Sequence, residues 1–131
     1  MSDTQLVKLA LEARENAYAP YSEFFVGAAL LDEDGEVFLG ANVENASYSL
    51  TLCAERTALF AAVAKGKRRF AKIAIVGGKK GEINRFCPPC GACRQALSEF
   101  SKDGKLEIVL FDGKTQKTIT LADALPMGFD I

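Results

Sequence analysis

The stretch FFVGAALLDEDGEVFLGANV, residues Phe24 to Val43, decides the fold. Phe24 to Leu31 is a near-continuous apolar run, the pattern of a well-buried strand. Asp32-Glu33-Asp34-Gly35 is a hairpin turn, and Glu36 to Val43 returns as a second strand.

Outward from this hairpin, the chain alternates helical and extended patterns. On the N-terminal side, Leu6, Val7, Leu9, Ala10, Ala13 and Ala17 recur at helical spacing, with Ser2 or Asp3 as cap. That helix ends before the turn-rich Ala19-Pro20-Tyr21-Ser22. On the C-terminal side, Glu44 to Leu52 is a polar loop, and a second helix covers Cys53 to Lys65 with Gly66 as its stop. Phe70 to Val76 reads as a third strand, followed by a Gly/Lys-rich turn and a third helix from Cys90 to Phe100. Leu106 to Phe111 and Lys117 to Thr120 are two last strands, and a short helix from Leu121 to Leu125 ends at Pro126. The order predicts an α/β fold: one α/β/α sandwich with a mixed five-stranded sheet covered by helices. No linker, repeat or low-complexity tract interrupts it, so residues 1–131 read as a single domain.

Composition narrows the partners. The 131 residues are 49% hydrophobic and 25% charged, as in ordinary globular proteins. A net charge of −1 argues against a nucleic-acid surface, which carries a basic excess. The basic run Lys65-Gly66-Lys67-Arg68-Arg69 falls at a helix C-terminus, where cations complement the dipole, and no aromatic residues interleave it. No basic segment with a cleavable apolar stretch opens the chain, and no run reaches transmembrane length. A cytoplasmic location is therefore expected, with no membrane partner and a small-molecule ligand. In that reducing compartment, four cysteines favour metal binding or catalysis over disulfides.

Two short segments carry the chemistry: Cys53-Ala54-Glu55-Arg56 opens the second helix, and Pro89-Cys90-Gly91-Ala92-Cys93-Arg94 opens the third. Cys53, Cys90 and Cys93 near two helix N-termini can converge on one zinc ion, the positive helix ends favouring thiolates. Three protein ligands leave the fourth tetrahedral position to water, the arrangement of a catalytic zinc. The chain has no histidine, so no imidazole serves as ligand or base. The proton carrier beside the metal is then Glu55, two residues from Cys53. Three thiolates on Zn²⁺ leave a net negative charge, and Arg56 can draw some of it off by donating to sulfur.

These residues match a signature of zinc nucleobase deaminases: a ligand, one residue, Glu, then Pro-Cys-x-x-Cys. Over nearly the whole chain the sequence resembles the small, three-cysteine cytidine deaminases. The matching segments include Tyr18-Ala19-Pro20-Tyr21-Ser22, Val26-Gly27-Ala28-Ala29-Leu30 and Asn42-Val43-Glu44-Asn45-Ala46-Ser47-Tyr48. Cys53 to Ala58, Pro89 to Gln95 and the ending Leu125-Pro126-x-x-Phe129 agree as well. The resemblance implies a homotetramer with shared active sites, one zinc per subunit, and hydrolytic deamination of free cytidine and deoxycytidine in pyrimidine salvage. In that reaction water, acidified by zinc, adds to C4 of the base while Glu55 shuttles protons. It further implies that Asn42 and Glu44 bind the ribose 3′-hydroxyl, that Phe24 lies against base or sugar, and that the Ala54 backbone reads the pyrimidine edge. Ala46, Tyr48 and Phe129 would reach a neighbouring subunit's site.

One departure is Cys87, which with Cys90 makes a second chelating spacing. It reads as a spare buried thiol, because Pro88 and Pro89 direct the chain away behind Cys90; the alternative is a fourth ligand that makes the zinc structural. Other readings are a purely structural zinc module, an editing enzyme acting on RNA or DNA, and a deaminase of a cytosine-containing antibiotic of the blasticidin S type. The Asn42-x-Glu44 pair favours a simple nucleoside over the antibiotic.

Overall fold

The computed structural model describes residues 1–131. Helix α1 runs Asp3–Arg14, and Ser2 caps it: its hydroxyl accepts the Gln5 N–H while the Gln5 side chain accepts the Ser2 N–H. Strand β1, Phe24–Asp32, pairs antiparallel with β2, Val37–Ala41, on one side and with β3, Phe70–Lys79, on the other. β3 pairs parallel with β4, Glu107–Phe111, which pairs antiparallel with β5, Gln116–Thr120. Helix α2 is Ala54–Ala64, α3 is Gly91–Ser98, and α4 is Leu121–Ala124. The sheet order is β2-β1-β3-β4-β5, mixed and five-stranded as expected.

Successive residues of the central strands feed two cores, which is why their sequence is apolar without alternation. Ala28, Leu30, Ile73, Ile75 and Ile108 pack with Ala58, Leu59 and Ala62 of α2 and Leu97 of α3. Ala29, Leu31, Ala74, Val76 and Val109 face the opposite way, against Leu6, Val7 and Ala10 of α1.

Several boundaries differ from the sequence reading, β2 among them: it stops at Ala41, short of Val43. α1 stops at Arg14 rather than near Ala17, because Tyr18 turns to bridge Val43. β3 continues through Gly77, Gly78 and Lys79, a segment that reads as a turn until its pairing with Val26, Phe25 and Phe24 is seen. α3 ends at Ser98, short of Phe100. The loop after β2 contains one turn of 3₁₀ helix, Tyr48–Leu50.

Gly40 sets the position of α2. A Cβ there would lie 2.2 Å from the Ala54 carbonyl and 2.4 Å from Thr57 Oγ1, so the first turn of the helix rests directly on β2. Thr57 locks that contact, donating to the Ala41 carbonyl at 3.1 Å and accepting the Ala41 N–H at 3.0 Å.

Candidate active site

Two helix starts face each other. Cys53 is the N-cap of α2 and Cys90 the N-cap of α3, and neither thiol caps its own helix. Cys93 lies in the first turn of α3, fully buried. The sulfurs turn toward one another instead: Cys53 and Cys90 Sγ are 3.8 Å apart, Cys90 and Cys93 Sγ 3.5 Å apart, and all three lie within 4.8 Å of each other.

That triangle fits zinc. Zn–S bonds of about 2.3 Å in a tetrahedron separate sulfurs by roughly 3.8 Å. Soft thiolate donors at two positive helix ends suit the same ion. Cys87 stands outside the set. Its Sγ lies where a Cβ on Gly77 would come, 2.7 Å away, beside the ring of Phe24. Burial pushes its thiol up to about 11, so it stays protonated and packs on the core that α2 and α3 share. The spare-thiol reading agrees with this placement, and a closed four-cysteine site does not.

Glu55 sits in the first turn of α2 and is only 5% exposed. Burial, with the nearby Cys53 thiolate adding to it, raises its carboxyl to about 7. Cys53 moves the other way, to about 5, through a hydrogen bond from Cys93 and a second from Arg56. The guanidinium of Arg56 reaches Cys53 Sγ at 3.4 Å, and that thiolate holds Arg56 firmly in its charged form. Arg56 Nε is buried without a partner, so the charge is aimed at sulfur and at little else. The cluster thus combines an ionised thiolate, a cation on it, and a carboxyl that exchanges protons near neutrality.

The remaining candidates split into two groups. Asn42 is buried where the chain leaves β2; its Oδ1 accepts the Val26 N–H at 2.9 Å and its Nδ2 donates to the Phe24 carbonyl at 2.9 Å. That leaves one N–H and one lone pair for a ligand. Glu44 accepts the N–H groups of Tyr21 and Ser22 at 3.0 and 3.1 Å, and the Ser22 hydroxyl holds its carboxyl below the usual range. Phe24 opens β1 beside Cys87, with the Arg85 guanidinium 5.4 Å from its ring centre. Ala54 is buried at the start of α2, where first-turn N–H groups lack an internal acceptor.

Of Ala46, Tyr48 and Phe129, Tyr48 shares a cavity with Glu44, and Ala46 and Phe129 do not line it. Tyr48 is 71% exposed, edge-on to Tyr21, and Phe129 is 74% exposed on the tail after α4. Ala46 is exposed in the loop after β2. Tyr21, Ser22, Glu44, Tyr48 and Thr51 line an open cavity of about 300 Å³. Ser22 and Thr57 lie inside segments that carry the resemblance but had no role assigned; they orient Glu44 and α2. Sequence reasoning also gave no role to Arg94, whose Nε donates to the Pro89 carbonyl at 2.8 Å and fixes the chain entering Cys90.

Comparison with known proteins agrees with this geometry. The family model described as the cytidine and deoxycytidylate deaminase zinc-binding region matches residues 1–109. The chain is 50% identical over 130 residues to the cytidine deaminase of Halalkalibacterium halodurans, covering 98% of this chain and 95% of that one. It is 48% identical over 122 residues to the cytidine deaminase of Mycobacterium tuberculosis strain H37Rv, covering 93% and 85% respectively. The crystal structure of the cytidine deaminase from Burkholderia pseudomallei aligns with a TM-score of 0.88 at 51% identity, covering 98% of this chain and 100% of that one.

Proposed function

The chain belongs to the zinc-binding cytidine and deoxycytidylate deaminases, and from that premise we propose how its residues hydrolyse free cytidine and deoxycytidine to uridine and deoxyuridine with release of ammonia. Cys53, Cys90 and Cys93 hold one zinc per chain. When bound, zinc supplies a Lewis acid that lowers the pKa of water from 15.7 toward roughly 7. Glu55 takes one proton of the attacking water and passes it to ring N3; it then takes the proton of the hydroxyl so formed at C4, which becomes the carbonyl, and gives it to the departing amine. Cytidine and water thus give uridine and ammonia without an external acid or base. A carboxyl near 7 serves both directions of transfer at neutral pH. Arg56, donating to Cys53 Sγ, offsets the charge of three thiolates and keeps the metal acidic.

Substrate contacts follow the same reading. Asn42 and Glu44 take the ribose 3′-hydroxyl; Asn42 keeps one donor and one lone pair, and Glu44 stays ionised. Phe24 lies against the nucleoside, and the Ala54 backbone reads the pyrimidine edge. Ala46, Tyr48 and Phe129 complete the site of a neighbouring chain in a cytoplasmic homotetramer. The exposure of Tyr48 and Phe129 supports that role, since neither ring is spent on its own core. Residues 1–131 act as one domain.

The observation that carries this reading is the burial of Glu55 in the first turn of α2, two residues after Cys53. The test follows cytidine absorbance in the wild type beside Glu55→Gln at matched zinc content. Loss of the cytidine band with ammonia release, slowed roughly 10²–10⁴-fold in the variant, is expected. Zinc-loaded wild type that leaves both cytidine and deoxycytidine intact would sink it.

A further inference from the structure

After α4, residues 126–131 form no helix or strand. One side chain nevertheless holds this tail at a defined point. Gln95 Nε2 donates to the Phe129 carbonyl at 2.8 Å, and Gln95 Oε1 accepts the Phe129 N–H at 3.0 Å. The amide satisfies both backbone groups of a single residue, as a paired strand residue does. Lys102 adds a tether one residue on, with Nζ 3.0 Å from Asp130 Oδ1. Gly128 folds close over Leu125, where a Cβ would lie 2.8 Å from Leu125 Cδ2. The backbone of Phe129 is therefore fixed while its ring remains 74% exposed. Packing within the chain does not account for this, because the clamped residue buries little of its own side chain. A ring held out from a fixed backbone is prepared to enter something else.

Resting on the reading that Phe129 enters a neighbouring chain's site, we infer that Gln95 is a positioning residue that sets Phe129 for nucleoside binding there. Gln95 lies two residues beyond Cys93 on α3. One short helix then serves two sites, its own metal at the N-terminus and the neighbour's substrate through the Gln95 amide. Releasing the clamp lowers the fraction of tails in the competent position, and this appears as weaker apparent substrate binding, with the chemical step untouched.

Steady-state kinetics on cytidine test this in the zinc-loaded full chain, using Gln95→Ala, Phe129→Ala and the double variant. Gln95→Ala raises KM about tenfold while kcat changes less than about twofold. Phe129→Ala raises KM at least as far, and the double variant matches Phe129→Ala alone, because Gln95 acts only through Phe129. Gln95→Glu falls between, since it keeps the acceptor for the Phe129 N–H but opposes the carbonyl. An unchanged KM in Gln95→Ala beside a raised one in Phe129→Ala, or additive effects in the double variant, overturns the positioning role and leaves Phe129 in the site. An unchanged KM in Phe129→Ala overturns both. Loss of zinc from Gln95→Ala assigns the residue to its own metal site and overturns the positioning role as well.

Discussion

Glu55 and Arg56 are adjacent in the chain, and the Cys53 thiolate acts on them in opposite senses. Burial, with the thiolate adding to it, raises the carboxyl toward neutrality, whereas the thiolate fixes the guanidinium as a cation. Arg56→Gln keeps a donor but removes the charge, leaving three thiolates to weaken the metal as a Lewis acid. A fall of roughly 10–100-fold in kcat or zinc affinity is expected, read by kinetics and metal analysis together. Cys87 provides the complementary prediction. Because its sulfur stands outside the triangle, Cys87→Val retains one zinc per chain, whereas Cys90→Ser loses the metal. Atomic absorption on both purified variants decides it, and zinc lost from Cys87→Val would return that residue to the ligand set. The metal residues were legible in the sequence because thiolates and a carboxylate at such short spacings on helix starts have few other uses. The environment of Asn42 was not. Its partners are backbone groups of Phe24 and Val26, and nothing in a residue's identity announces a contact with main chain elsewhere. Gln95 and Phe129 meet across 34 positions for the same reason.

At the scale of elements, the α/β/α layering was readable from apolar runs, but how closely a helix approaches its strand was not. Gly40 and Thr57 seat α2 on β2. Gly40→Ala drives a methyl into the Ala54 carbonyl, and relief requires moving the helix that carries Cys53. A stability loss of about 1–3 kcal/mol is expected, with zinc bound less tightly, from thermal unfolding and competition with a chelator. The β1–β2 hairpin has its own clamp. Asp32 is 2% exposed, accepts the Asp34 and Glu36 N–H groups, and pairs with Lys67 Nζ at 2.9 Å. The hydrogen bond from Lys67 holds the Asp32 carboxyl below its ordinary value of 3.8. A group whose pKa is depressed by folding contributes stability above its unfolded value and loses it as pH falls through the folded one. Asp32→Asn is therefore less stable than wild type at pH 6, and the gap closes as pH drops below about 4. Urea midpoints measured from pH 6 downward, through the ordinary carboxyl value of 3.8 and below it, would show it. A gap that stays constant with pH would assign the loss to shape and not to charge.

For the whole molecule, the surface is the feature that one chain leaves unexplained. Leu39, Val43, Tyr48, Leu50, Phe60 and Phe129 are all exposed, and β2 is an edge strand of the sheet. Of these, Leu39 lies on the open edge, Phe60 on α2, and Tyr48 and Leu50 in the 3₁₀ turn, so the exposed apolar surface extends beyond one strand. In the sequence, only the resemblance pointed Phe129 toward a neighbouring subunit, and no pattern of residues did so by itself. If neighbouring chains complete each other's sites, Glu55 and Phe129 of one catalytic unit come from different copies. Two impaired variants then repair each other. In a mixture of Glu55→Gln and Phe129→Ala, dissociated and reassembled together, some sites draw Glu55 from the Phe129→Ala chain and Phe129 from the Glu55→Gln chain. Those sites are wild type in every group, so the mixture gains a class of sites that combines the wild-type KM with the wild-type kcat, which neither variant alone contains. Kinetics before and after subunit exchange read this directly. If the exchanged mixture shows only the KM of Phe129→Ala, each chain builds its site alone, and the exposed ring must be explained by a contact that does not touch the substrate.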